Sequence, residues 1–148
     1  MEPKFQVQLK IRKPVAEVFD AVVNPGKLAG YFVAKATGPL EPGKTVKWSF
    51  PEPQFSEPFD VSCREVTKNE RIVFEWPAGE GDALTRVEMV FTPLDAGNTM
   101  VQISESGWPD AAQGRERAYG NAAGWMHMMA AMKAYLEYGI NLREGGVV

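Results

Sequence analysis

The sequence predicts an α+β domain. A curved antiparallel sheet of about six to seven strands grips one long C-terminal helix, and two short helices follow the first strand. Three observations carry this. Only one long stretch, Arg115–Ile140, has a helical period, and it holds four of the seven methionines. Roughly 70 residues ahead of it alternate apolar and polar side chains with period two. The connections between those runs are short and turn-forming, which favours an antiparallel meander.

Taken in order, Lys4–Ile11 sets Phe5, Val7, Leu9 and Ile11 against Lys4, Gln6, Gln8 and Lys10. That is the alternation of a strand with one wet face. Pro14 suits a first helical position, and Val15, Val18, Phe19 and Val22 follow at helical spacing. Asn24–Pro25 reads as an N-cap with a first-turn proline, opening a short helix through Leu28 that Gly30 ends. Glu41–Lys44 is a turn, after which Val46, Trp48 and Phe50 alternate with Lys47 and Ser49. Three prolines make Pro51–Pro58 a loop or an edge. Phe59, Val61 and Cys63 form the next strand, Thr67–Glu70 turns, and Ile72, Phe74 and Trp76 follow. Pro77–Asp82 reads as a hairpin loop, Val87, Met89 and Phe91 as a strand, Asp95–Asn98 as a turn, and Val101 with Ile103 as the last strand.

Ser106–Gly114 is a polar connection, and Gly114 sets the start of the main helix at Arg115. With Trp125 at the origin, Ala118, Ala122, Met129, Met132 and Leu136 fall within about 60°, and Met128 at the same angle on the other flank. This stripe needs an apolar partner, which the dry face of the sheet supplies. Gly120, Ala123, Gly124, His127, Ala130, Ala131 and Ala134 are expected on the outer face. Solvent exposure or a close-packed homodimer contact would account for their small size.

The totals bound the function. With 148 residues, 45% hydrophobic and 24% charged, the chain is expected to form one domain, 1–148, without covalent staples. A net charge of −3 and the lack of any basic cluster argue against nucleic acid or an anionic membrane surface as a partner. The single cysteine, Cys63, excludes an internal disulfide and suits a reducing compartment. The opening MEPKFQVQLKIRK has no apolar run of signal-peptide or membrane-span length, so the expected location is cytoplasmic.

Particular words in this order resemble a known family. They are Arg12-Lys13-Pro14-Val15 through Val18-Phe19, Asn24-Pro25 through Leu28, Tyr31-Phe32, Gly43 with Val46-Lys47-Trp48, and Gly124-Trp125 leading into a tyrosine-rich helix. The chain is similar across its length to the START-like, helix-grip (SRPBCC) superfamily, which includes the birch-pollen allergen and polyketide cyclases. Within it, the chain resembles the branch named after the C-terminal domain of the heat-shock chaperone ATPase activator. The resemblance implies a sheet gripping the helix, with a cavity between them that binds apolar molecules in several branches. The eukaryotic activator carries an additional N-terminal domain, whereas this sequence opens on the helix-grip module, so chaperone activation is not the expected role.

Trp48, Phe50, Val61, Cys63, Phe74, Trp76, Met89, Phe91 and Ile103 share the inward phase with Val46, and Trp125, Met128, Met129 and Met132 face them. A filled core and a lined ligand cavity have the same period, and both readings stand at this point. His127 lies about 200° from Trp125 and is expected at the surface, away from any general-base role. Cys63 has the inward phase with no histidine placed to activate it, so an inert thiol is expected. One histidine and one cysteine on opposite sides of the helix offer no metal cluster, and no cofactor is expected.

Glu65 and Glu105 continue the buried phase of their strands. A buried carboxylate is costly unless paired, so both strands are expected to have left the core there. The alternative is a polar end to the pocket, with Arg117 and Asn121 holding a ligand's oxygen atoms. No phosphate loop, nucleophile elbow or dinucleotide fingerprint is present, and no catalytic residue is assigned. The expected function is binding of a small hydrophobic or aromatic ligand between sheet and helix. The alternatives are a cyclase- or hydrolase-type enzyme using Glu65, Glu105 or Arg117 to polarise its substrate, and an interaction module acting on a chaperone.

Overall fold

Period-two patterning draws the middle of the chain into a seven-stranded antiparallel sheet. A computed structural model describes residues 1–79, 81 and 83–147. The Pro77–Asp82 loop therefore lies partly outside the described residues, at positions 80 and 82. The elements are β1 (Lys4–Ile11), α1 (Val15–Val23), α2 (Pro25–Leu28), β2 (Lys35–Ala36), β3 (Thr45–Ser49), β4 (Phe59–Thr67), β5 (Arg71–Trp76), β6 (Thr85–Asp95), β7 (Asn98–Ser106) and α3 (Ala112–Tyr138). Their order across the sheet is β1-β7-β6-β5-β4-β3-β2. Each strand from β2 to β7 lies beside its successor, and β1 closes onto β7 from Lys4↔Ser106 to Ile11↔Thr99. The two-residue β2 is too short to alternate and left no readable pattern.

Asn24 caps α2 as expected, its side chain accepting from the amides of Gly26 and Lys27. Pro14 sits one residue before α1, at its N-cap. The segment Pro51–Pro58 is a loop with a short 3-10 turn at Pro53–Phe55. The main helix differs from expectation at its start: it begins at Ala112, three residues before Arg115. Gly114 is a packing position inside it, because a Cβ there would stand 2.1 Å from the Pro109 carbonyl oxygen. At the other end Gly139 adopts a left-handed conformation, φ 69°, and stops the helix.

One stripe of α3 is buried, at Ala118, Trp125, Met128, Met129, Ala131 and Met132. Ala131 therefore belongs to the core and not to the outer face, and His127 is half-buried at the border; Gly120, Ala123, Gly124 and Ala130 are exposed. The helix lies closest to β1 and β7, while α1 covers the β6 side. Beyond α3 the chain folds back, and Arg143 pairs with the buried Glu52 while its guanidinium lies over the rings of Phe32 and Phe50. At the same end of the helix, Glu137 accepts from the Arg12 backbone amide at 2.9 Å, from Arg12 Nε at 2.6 Å and from Lys133 Nζ at 2.6 Å.

Candidate functional site

The dry face of the sheet and the stripe of α3 meet in an aromatic cluster. Trp76 and Trp125 lie tilted with centroids 5.2 Å apart, Phe74 meets Trp76 edge-on at 5.8 Å, and Trp48 meets Phe74 at 5.4 Å. Of the predicted lining residues, Trp48, Val61, Cys63, Phe74, Met89, Phe91, Ile103, Trp125, Met128, Met129 and Met132 are buried in one continuous core. Burial raises the Cys63 thiol pKa, which keeps it protonated and unreactive.

Trp76 is buried in the same core and also reaches the surface, where it joins Phe50, Arg117 and Asn121. They line an open groove of about 880 Å³ at the mouth of the grip. Its walls are the Gln54–Asp60 stretch with Phe55, Pro58 and Phe59 on one side, Pro77, Ala78 and Leu84 on another, and the first turns of α3 on the third. Phe55 and Leu84 are exposed at the rim. Lys47 and Asp60 form an ion pair at 2.7 Å beside it. Arg117 is exposed and makes no ion pair among the described residues. A smaller concavity of about 430 Å³ lies across β1, β7 and β6, at Lys4, Arg86, Ser104 and Glu105.

Directly behind the groove sits Glu105, 1% exposed. Its strand has not left the core, contrary to expectation. Oε2 accepts from Trp76 Nε1 at 2.8 Å and Thr85 Oγ1 at 2.6 Å; Oε1 accepts from Trp125 Nε1 at 2.8 Å. Asn121 Nδ2 reaches both oxygens, at 3.1 and 3.2 Å. Four neutral donors converge on one carboxylate, and no cation pairs with it among the described residues. Charge-assisted hydrogen bonds of about 1.5–3 kcal/mol each offset the desolvation that a lone buried carboxylate would suffer. All four partners donate, so the arrangement fits the ionised form, which only accepts.

The register places these groups. Glu105 stands opposite Val87, two residues from Thr85, and Thr85 stands opposite Trp76. Asn121 and Trp125 are one helical turn apart, so both amide and indole project onto the same carboxylate. Glu65 behaves differently. A bulge between Cys63 and Glu65 shifts β4, and the half-exposed side chain accepts from Thr67 and lies 3.6 Å from Arg71. Sequence reasoning missed Thr85, although it has the inward phase of Val87 and Met89. It also missed the rim residues Phe55 and Leu84, which lie in segments without a period.

Among the described residues no group of histidine, cysteine and acidic side chains could hold a metal ion. Nor is any helix there long and apolar enough to cross a membrane.

A family model described as Activator of Hsp90 ATPase homolog 1-like protein matches residues 12–137. Among solved structures, protein SSP2350 from Staphylococcus saprophyticus is 25% identical, with 95% of this chain and 96% of that one covered and a TM-score of 0.79. DynU16, of the dynemicin biosynthetic locus, is 24% identical at a TM-score of 0.80; 94% of this chain covers 49% of that one, about half its length. The Aha1 dimer from Colwellia psychrerythraea is 17% identical, with 93% and 98% covered and a TM-score of 0.76. The last two likenesses concern the fold alone. No curated protein matches the sequence.

Proposed function

The chain belongs to the Activator of Hsp90 ATPase homolog 1-like family, and on that premise we propose that it binds a small aromatic or otherwise apolar molecule. The seat is the groove at the mouth of the grip, and no reaction is assigned to it. One observation carries the reading: a concavity of about 880 Å³ brings Phe50, Phe55, Phe59 and Trp76 together with the amides of Gln54 and Asn121 and with Arg117, a cation that forms no ion pair among the described residues. Its volume is within the range that accommodates a drug-sized ligand, and a mostly apolar wall with a few convergent polar groups is the usual composition of such sites. Arg117 would hold an oxygen or carboxylate at the ligand's outer end. The eleven core residues then act as a rigid floor that keeps Trp76 in place. The cytoplasm remains the proposed compartment.

Native mass spectrometry of the purified protein, followed by extraction of co-purified small molecules, tests this directly. The expected result is a retained aromatic or apolar compound, or a rise in Tm on adding an apolar probe such as 2-naphthol. If nothing is retained and no apolar probe shifts Tm, the groove is not a ligand site.

A further inference from the structure

The groove's chemistry is set by a residue that does not line it. Asn121 spends Nδ2 on Glu105, reaching both carboxylate oxygens. Glu105 is an acceptor at both oxygens, so the amide cannot be turned the other way without placing Asn121 Oδ1 against a carboxylate. The orientation is therefore fixed from behind. Oδ1 accepts no hydrogen bond from the described residues, and Asn121 lines the groove. Trp76 is locked in the same way: its Nε1 donates to Glu105, so the groove meets its ring and not its N–H. The groove is thus lined by the Asn121 amide, whose Nδ2 is committed to Glu105, and by Trp76, whose Nε1 is committed to the same carboxylate.

We infer that the groove selects ligands whose aromatic ring carries an O–H or N–H donor, with Asn121 Oδ1 as the specificity-determining acceptor and Glu105 as the positioning residue that aims it. This rests on the groove being the ligand site. A ring without a donor would cover Oδ1 and leave it unpaired, which costs binding energy. A ring with a hydroxyl pairs it, and the negative potential of Glu105 strengthens that bond by favouring a donor over an acceptor. Arg117, which forms no ion pair among the described residues, would take an acceptor group on the same molecule.

The test compares 2-naphthol with 2-methoxynaphthalene, which share a ring system but differ in the donor, by isothermal titration calorimetry on the full chain. 2-Naphthol should bind about tenfold more tightly. In Asn121→Leu the two should bind within about twofold of each other. In Glu105→Gln the glutamine amide can donate to Asn121 Oδ1 and turn the Asn121 NH2 towards the groove, so the preference should vanish or reverse. Near-UV circular dichroism verifies the fold of each variant, and Asn121→Leu decides alone if Glu105→Gln does not fold. Equal affinities in the unaltered protein would overturn the inference and leave the groove reading standing. A naphthol preference undiminished in Asn121→Leu would overturn it as well. Binding of neither probe would instead remove the groove reading, and the inference with it.

Discussion

Glu105, which meets the middle of α3 from β7, and Glu137, in the last turn of α3, are both sunk carboxylates, and they are held in opposite ways. Glu137 is 3% exposed at its side chain and gathers charge: Arg12 and Lys133 both contact it. Burial alone would raise its pKa. The Arg12 backbone amide, the Lys133 ammonium and the Arg12 guanidinium outweigh that and bring it down to about 2. Glu105 gathers no charge, only two indoles, a hydroxyl and an amide. A carboxylate matched by two cations fastens the helix C-terminus to the residue that follows β1, and its negative charge is more than compensated. A carboxylate matched by neutral donors keeps its field, and that field reaches the one open groove whose wall includes its own donors.

Substitutions in the two regions can break or sharpen this contrast. The largest effect is expected at Trp125→Ala, which leaves a cavity at a 2% exposed site and removes a donor from Glu105. It should cost about 4–5 kcal/mol in urea unfolding. A cost below about 1.5 kcal/mol would mean that the indole borders open space. Next comes Glu105→Gln, which leaves one acceptor oxygen for donors that now occupy two. It should cost about 2–3 kcal/mol, with little dependence on salt.

Glu137→Gln should be milder, about 1 kcal/mol at pH 7, because water screens the partly exposed Arg12 and Lys133. Its signature is the pH profile. A carboxyl that titrates at 4.5 unfolded and about 2 folded contributes stability above 4.5 that fades as pH falls towards 2. Thermal melts of wild type and Glu137→Gln should therefore converge over that window. The smallest effect on stability belongs to Arg117→Ala, within about 0.5 kcal/mol, since the side chain is exposed. It should nonetheless weaken 2-naphthoate severalfold while leaving 2-naphthol unchanged.

The fold was legible because its two periods are strong. Phe5 to Ile11 and Val87 to Phe91 alternate, and Trp125 to Leu136 makes a stripe, so strands, helix and their contact followed from side-chain phase. Gly114 misled for a local reason: a glycine required by a close approach looks the same in sequence as one that breaks a helix. The site was half legible. Asn121 and Glu105 were readable as polar residues with the inward phase, but their fate depended on long-range partners. Glu105 stays inside because Trp76, Thr85 and Trp125 arrive from two other strands and the helix with donors aimed at it. Glu65 leaves because a bulge, invisible in the alternation, turns its strand. Phase alone cannot separate two glutamates when the donors that hold one of them lie 16 to 29 positions away along the chain.

The fold-back of Arg143 onto Glu52 bears on how the molecule is handled at the bench. Glu52 immediately precedes the Pro53–Phe55 turn, and Phe55 walls the groove. The terminal residues thus act as a guy-rope for a wall of the site that lies far from them along the chain. A purification handle fused directly after Tyr138, or a protease nick at the left-handed Gly139, would slacken that wall and strip the partner from a carboxylate 4% exposed. Affinities measured on such a preparation would describe a differently shaped groove, so handles belong at the amino end.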